Sequence, residues 1–479
     1  MDRPPIGLAA HEAALARDLR LLNLPPKPRV HPRLAADGAP VTDVVIVGGG
    51  LCGLCAAAAV KFLGISNLLV LDRAPAGREG PWVTFARMRT LRTEKNIAGP
   101  ALGIPALTPR AWFEAQYGEA AWEAMDRIPR AMWMEYMIWY RRVLDLPVRN
   151  EVDVIAIVPR DDGLIFIRTR TEALLARRVV LATGADGLGA PTLPPIAKAV
   201  SRRFWAHSSD MIDFSKLAGK RVGVVGAGAS AMDNAATALE AGAASVDMLI
   251  RKPEIPRVDR LGAIASKGTV HGFFDLPMER KWRYFRAAME SSLPPPRHSV
   301  QRVAAHPNAR FHFSSPIVEL FEEGGALRAV TPRREHRLDF LIFGTGFGID
   351  FSARPELSAI APHIRRWRDS FVPPPGQAHA GLAEFPDIGP GFEFRERNPG
   401  ACPALRNIST FNFPTVLSHG KINSGIPSIS DGAQRLARAI ARGLYVEGAD
   451  ADYAAFLEWD KSELRGDECV DADAISLPA

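Results

Sequence analysis

Two rhythms of hydrophobic and polar positions run along this chain. From Leu8 to Leu22 the apolar positions recur at helical spacing, and Leu24-Pro25-Pro26-Lys27-Pro28 ends that helix because proline cannot continue it. Val44-Val45-Ile46-Val47 is an unbroken β-branched run. Gly48-Gly49-Gly50-Leu51-Cys52-Gly53 follows at once, and then an alanine-rich run. That succession predicts strand, tight turn and helix. Asn67–Asp72 reads as the next strand. Thr108-Pro109 supplies an N-cap and a first helical residue for a helix predicted through Met125. Pro129 opens another, whose Met132, Trp133, Tyr136, Met137 and Tyr140 stripe predicts burial against a sheet. Val152–Val158, Leu164–Thr169 and Arg178–Ala182 then alternate as a short antiparallel meander ending in Ala182-Thr183-Gly184.

The opening pattern occurs a second time. Arg221–Val225 predicts a strand, Gly226-Ala227-Gly228-Ala229-Ser230-Ala231 a turn, and the following residues a helix to about Ala241. Val246–Ile250 is the next strand. Residues 253–306 are punctuated by proline, with a helix predicted over Met278–Met289. Arg310–Ser314 and Pro316–Phe321 read as strands. Asp339–Phe343 reads as a buried strand closed by Gly344-Thr345-Gly346-Phe347. This echoes Ala182-Thr183-Gly184, so the chain is expected to re-enter the first sheet there. Residues 351–410 carry few regular signals. Leu417–Gly425 is a polar loop, after which Ser428 and its neighbours cap a helix to about Gly443.

Composition narrows the classes. A chain of 479 residues with 47% hydrophobic and 23% charged residues can bury the cores of several ordinary globular domains. The net charge of +6 is small for this length and no long basic block exists, which argues against nucleic-acid binding. Four cysteines are too few for a disulfide scaffold, and Cys52 and Cys55 fall where small side chains favour close packing. No stretch reads as a signal peptide or as a transmembrane helix of ~18 apolar residues, so a cytoplasmic location is expected.

The glycine turns carry the candidate chemistry. Gly48, Gly50 and Gly53 stand at the G-x-G-x-x-G positions: one for the turn, one for backbone approach to a pyrophosphate, one for close helix–strand packing. Asp72, 24 residues after Gly48, is placed to accept ribose hydroxyls, with Arg73 beside it. The second turn reads Gly226, Gly228 and Ala231, with Ser230 between. Where the acid would stand, Arg251-Lys252 offers two cations suited to a ribose 2′-phosphate, so NADP is expected there rather than NAD. The irregular stretch 83–107, with Arg87, Arg89, Arg92, Lys95 and Asn96, is a candidate active-site lining.

Two such turns, separated by Thr183-Gly184 and followed by Gly344-Thr345-Gly346-Phe347, resemble the flavoproteins with two dinucleotide-binding domains. Within that group the chain looks like the single-component (class B) flavin-dependent monooxygenases: flavin-containing monooxygenases, Baeyer–Villiger enzymes and amine N-hydroxylases. Phe204-Trp205-Ala206-His207-Ser208-Ser209-Asp210 resembles their linker signature, with Ser201 and Arg203 where the family has Phe and Gly. Gly80-Pro81-Trp82 is similar to their Gly-Gly-x-Trp beside the flavin, with Glu79 replacing the first glycine. The resemblance implies an α/β fold with two Rossmann-like domains, parallel sheets and a small antiparallel meander. The expected spans are 1–200 and 336–479 for the FAD domain and 201–335 for the inserted NADP domain. It implies that NADPH reduces FAD, and that the reduced flavin activates oxygen as a C4a-(hydro)peroxide. One oxygen atom then passes to a small organic substrate by N-, S- or Baeyer–Villiger oxygenation. It implies Asn96 and Lys95 as catalytic candidates near the flavin, Asn423 in the flavin pocket, and His207 at the domain hinge or against NADP. The alternative is an NADPH-dependent flavoprotein reductase or dehydrogenase without oxygen insertion. A disulfide reductase would need a redox cysteine pair at the flavin, whereas Cys52 and Cys55 lie by the pyrophosphate. The partners expected are the substrate and molecular oxygen, with a homo-oligomer left open.

Overall fold

The computed structural model describes residues 4–28, 30–423, 425–469 and 471. Helix α1 (Leu8–Leu21) turns His11 and Leu15 inward. Strand β1 (Val41–Val47), helix α2 (Leu51–Lys61) and strand β2 (Leu68–Leu71) form the first β-α-β unit, with β1 and β2 parallel. Every residue of α2 from Gly53 to Val60 is buried, because glycine, cysteine and alanine let the helix lie close on the sheet. Helices α3 (Pro109–Tyr117) and α4 (Glu119–Ala124) replace the single predicted helix. Gly118, at φ +83°, divides them. Helix α5 (Arg130–Val143) buries Trp133, Tyr136, Met137 and Tyr140, as its stripe predicts.

Strand β3 (Val148–Arg149) joins β2, and β4 (Val154–Pro159), β5 (Ile165–Thr169) and β6 (Ala173–Leu181) make the antiparallel meander. Strand β6 then lies parallel to β1. Strand β7 (Gly189–Pro191) leads out toward a second, five-stranded parallel sheet. That sheet holds β8 (Trp205–His207), β9 (Arg221–Val225) and, after α6 (Ala229–Glu240), β10 (Ser245–Leu249). Helices α7 (Lys267–Gly272), α8 (Met278–Ser291) and α9 (Arg297–Ala304) precede its edge strand β11 (Ala309–His312). A separate antiparallel sheet follows, of β12 (Glu319–Glu323), β13 (Ala326–Val330) and β14 (Glu335–Leu338).

Strand β15 (Phe340–Phe343) corrects the expected topology. It pairs with β9 and β8 in the second sheet, so the Gly344-Thr345-Gly346 signal does not return the chain to the first. The echo has a physical cause. A Cβ on Gly48 would lie 2.4 Å from the Ala182 carbonyl oxygen, and one on Gly226 2.6 Å from that of Gly344. The Thr-Gly ending therefore marks the strand beside a glycine turn, and each sheet has its own. Strand β16 (Phe347–Ile349) pairs antiparallel with β7, giving a two-stranded ribbon where the chain crosses between the sheets.

After the short helices α10 (Trp367–Ser370) and α11 (Ala380–Ala383), the true re-entry is β17 (Ile408–Thr410), parallel to the C-terminal end of β6. Helix α12 (Val416–His419) leads to α13 (Ile429–Glu447), which packs along α2, and the chain reaches α14 (Ala449–Leu457). Among the described residues no helix is long and apolar enough to cross a membrane.

Candidate functional site

The first turn has the shape its glycines require. Gly48 sits at φ +109°, and a Cβ on Gly53 would lie 1.8 Å from the Gly48 carbonyl oxygen. Gly50 is the N-cap of α2 and offers no side-chain cap, so the helix's first N–H groups stay available to an anion. The Asp72 carboxylate is buried at the end of β2 and accepts from the Gly49 N–H at 2.6 Å and the Ala74 N–H at 2.7 Å. Arg73 beside it is exposed. A cleft at this turn is lined by Gly49, Gly50, Glu79, Trp82 and residues of α5. Glu79 does not open it to solvent. It is buried, paired with Arg141 at 2.8 Å and accepting from Asn150 Nδ2 at 2.6 Å.

Thr183, Asn412 and Asn423 converge on the same turn. Asn412 Nδ2 lies 3.4 Å from Thr183 Oγ1, and its carbonyl accepts from Asn423 Nδ2 at 3.1 Å. The Asn423 carbonyl in turn lies 3.7 Å from Cys52 Sγ. Gly184 takes φ +91°, turning the chain at the end of β6. Asn423 is buried, and its Oδ1 is held by Thr415 Oγ1 at 2.5 Å. Its side chain thus pins the α12–α13 turn. The neighbouring Ser424 lies outside the described residues.

The second turn repeats the design. Gly226 is at φ +125°, and a Cβ on Gly344 would meet that of Ala231 at 2.6 Å. Gly228 caps α6 without a side chain, open space lies where its Cβ would be, and Ser230 is exposed beside it. Thr345 Oγ1 donates to the Thr192 carbonyl, and the Gly346 carbonyl accepts from the Thr192 N–H at 2.8 Å, fastening the ribbon to this turn. Past the end of β10, Arg251 is exposed and has no ion-pair partner among the described residues. Lys252 is engaged otherwise. Its ammonium lies 3.1 Å and 3.3 Å from the Glu290 and Ser291 carbonyls at the C-terminus of α8.

A smaller polar cavity of about 160 Å³ lies among α8, α10 and α12, lined by Phe274, Lys281, Trp367, Asp387, Arg395 and Ser418. Lys281 is buried, donates to the Phe274 carbonyl and stands 4.8 Å from that residue's ring centroid. Burial lowers its pKa, while the Asp387 carboxylate opposes that shift. Behind it, His419 is stacked between Phe392 at 4.2 Å and Phe274 at 4.6 Å. Burial holds its pKa at about 3, so the ring is neutral. Its Nε2–H donates to the Gly389 carbonyl at 2.9 Å, and its Nδ1 accepts from Arg435 at 3.1 Å.

Residues 45–261 match the pyridine nucleotide-disulphide oxidoreductase family. Over 96% of its length the chain is 40% identical to the FAD-dependent urate hydroxylase of Xanthomonas campestris pv. campestris, covering 98% of that protein. The chain belongs to the FAD-dependent flavoprotein monooxygenases. Its fold is also that of an ornithine N-hydroxylase from Kutzneria sp. 744, with a TM-score of 0.64 at 16% identity over 84% of this chain and 99% of that one. It is likewise that of an L-lysine 6-monooxygenase from Pseudomonas syringae, with a TM-score of 0.61 at 19% identity over 84% and 99%. The protein is an FAD- and NADPH-dependent monooxygenase, an oxidoreductase that acts on an organic substrate with molecular oxygen.

In the monooxygenase the two catalytic candidates sit differently from expectation. Lys95 Nζ donates to the Trp122 carbonyl at 2.8 Å and the Glu123 carbonyl at 3.1 Å, so it clamps the C-terminus of α4 and is not presented to the cleft. Asn96 is exposed, and its Oδ1 accepts from Trp122 Nε1 at 3.3 Å. The basic residues before them join the two nucleotide units. Arg89 pairs with Glu240 at 2.8 Å, and the Arg87 carbonyl accepts from Arg302, which also pairs with Asp233 at 3.2 Å. His207 lies at the end of β8 beside the crossing ribbon, 5.6 Å from the Phe347 ring. Its Nδ1 meets Ser209 Oγ at 2.7 Å, and burial lowers its pKa. Cys55 Sγ lies 3.8 Å from the Ile429 carbonyl at the start of α13 and Cys52 Sγ 3.7 Å from the Asn423 carbonyl in the turn before it, and burial pushes the Cys52 thiol up to about 12. Neither is a nucleophile at neutral pH. Asn412 and Lys281 carry no motif in the sequence, whereas His419 falls in the polar loop Leu417–Gly425.

Proposed function

We propose that the monooxygenase hydroxylates a planar, anionic heterocycle of the urate class, and that the cavity at Lys281 receives it. The relationship to the urate hydroxylase, sustained over nearly the whole of both chains, carries this reading. The cavity supports it. Two cations, Lys281 and Arg395, face one carboxylate, Asp387, leaving a positive excess for a monoanion. Phe274 and Trp367 supply flat apolar walls, and Trp367 Nε1, donating to Ser418 Oγ at 3.3 Å, fixes its ring in place and leaves the hydroxyl's own proton for a ligand.

In this reading Gly48, Gly50, Gly53, Asp72, Arg73, Trp82, Thr183, Gly184 and Asn423 surround FAD. Gly226, Gly228, Ser230, Ala231, Arg251, Gly344, Thr345 and Gly346 hold NADPH, with Lys252 bracing Arg251's segment. The two uncapped helix N-termini and the space at Gly228 fit pyrophosphates. FAD, when bound, supplies the hydride-accepting and oxygen-activating chemistry. The chain's own part is to bind, orient and exclude water. The N-terminus of α2 offsets phosphate charge, and the Asp72 carboxylate accepts ribose hydroxyls. His419, kept neutral, backs the cavity wall without adding a charge. The domains divide at the β7–β16 ribbon, near Pro191 and Phe347, and the work is done in the cytoplasm.

The test is to follow NADPH oxidation by the FAD-loaded enzyme with and without urate. Urate should accelerate it and disappear in a 1:1 ratio. Lys281→Met should raise the KM for urate by about tenfold, the worth of a charge-assisted contact, and leave the KM for NADPH unchanged. Urate that neither accelerates the reaction nor disappears would refute the substrate assignment.

A further inference from the structure

The face of β10 turned away from α6 carries a polar group that nothing in the flavin chemistry uses. Side chains alternate along a strand. Val246 and Met248 pack with α6, whereas Leu249 packs toward the antiparallel sheet with Leu327 and Leu338. Asp247 shares the Leu249 face, and His336 shares the Leu338 face of β14. His312, the last residue of β11, closes the group from the sheet edge. Asp247 Oδ1 lies 2.7 Å from His312 Nε2, and the two imidazole rings meet edge to face with centroids 4.6 Å apart. Asp247 and His336 are buried, with 8% and 5% exposure.

A polar group this deep ordinarily has every atom paired. Here His336 Nε2 is buried with no hydrogen-bond partner. One ligand atom from each of the three residues lies within 4.8 Å of the other two, the one such group among the described residues. We propose that Asp247, His312 and His336 bind a divalent transition metal of the zinc class. Two imidazoles and one carboxylate suit zinc, which bonds N and O ligands at about 2.0–2.2 Å in a tetrahedral arrangement completed by a water. Ligand atoms of such a site stand ~3.3 Å apart. The Asp247–His312 pair therefore opens by about 0.6 Å and the widest pair closes by up to about 1.5 Å, within side-chain rotation. The metal takes the place of the proton between Asp247 and His312, and the imidazole binds as its neutral tautomer with the remaining proton on Nδ1. The ion would join β10, β11 and β14, so it fastens the antiparallel sheet to the strand that leads to Arg251. Its role is structural and is independent of the substrate.

The experiment uses tag-free, FAD-loaded enzyme stripped with a chelator and then titrated with Zn²⁺ against a chromophoric competitor. The expected result is one Zn²⁺ per chain at micromolar or tighter affinity, with a rise in melting temperature. Co²⁺ in its place should give the visible band of tetrahedral coordination. His336→Gln and Asp247→Asn should each weaken binding by more than about 100-fold, beyond the loss typical of an outer-shell partner. Melting in chelator shows whether each variant is folded. A wild-type enzyme that takes up no Zn²⁺ at micromolar free metal would overturn the proposal. So would folded variants that bind it as the wild type does.

Discussion

At the scale of single residues, the proposed cofactor sites rest on where a side chain is forbidden and where a charge is free. At Gly48 both the backbone angle and the Ala182 carbonyl, 2.4 Å from any Cβ, exclude a side chain. Gly48→Ala should give a protein isolated without its yellow colour, with FAD content read by absorbance; full FAD occupancy would contradict the turn's assignment. The cation pair shows the limit of spacing as evidence. Arg251 and Lys252 are adjacent in sequence, but one is exposed and the other caps α8. Arg251→Gln should raise the KM for NADPH by about tenfold or more and leave that for NADH unchanged. Lys252→Gln should do much less to either. Lys95 teaches the same point: the sequence supplied a lysine near the flavin segment, but only the fold shows its ammonium engaged by helix carbonyls. Strand-turn-glycine patterns were readable because local backbone sterics impose them. The partners of long charged side chains were not, because they come from distant segments.

At the scale of elements, long strands and helices with clear periodicity were legible and short ones were not. Strand β17 has three residues, too few to show alternation, and lies in a stretch rich in proline and glycine. Its place beside β6 is set by tertiary packing. Helix α13 is fastened to the first sheet by Arg177 of β6, which pairs with Asp43 at 2.9 Å and Glu447 at 3.0 Å while nearly fully buried. Arg177→Ala leaves Asp43 buried without its partner and should cost about 3–5 kcal/mol in denaturant unfolding; a change under about 1 kcal/mol would show the cluster to be dispensable. The α12 turn adds a pH dependence. His419 titrates near 6.5 in the unfolded chain and at about 3 in the fold, so below 6.5 the unfolded state binds the extra proton. Its contribution to stability is complete above that pH and is lost progressively as pH falls toward 3. Several other histidines lowered by burial add to the same slope. His419→Gln, which can keep both a donor and an acceptor, should flatten the slope of unfolding free energy against pH in that window. An unchanged slope would mean that His419 contributes nothing to it.

At the scale of the molecule, two nucleotide units face one another across a seam and are joined by the β7–β16 ribbon. The repetition of the glycine turn made the two-unit plan legible, but the order of strands was not: two Thr-Gly endings looked like departure and return, and each belongs to its own sheet. Across the seam Arg89 of the loop after Trp82 pairs with Glu240 of α6, and Arg302 of α9, itself paired with Asp233 and Glu240, donates to the Arg87 carbonyl. The same plan serves reductases and oxygenases, so the fold alone does not separate them. Oxygen insertion is the claim on which the account rests. Its most direct test is to run the FAD-loaded enzyme with NADPH and urate under ¹⁸O₂ and weigh the product by mass spectrometry. The expected result is one labelled oxygen atom in the product for each NADPH oxidised. Unlabelled urate, with hydrogen peroxide formed in proportion to NADPH consumed, would contradict it.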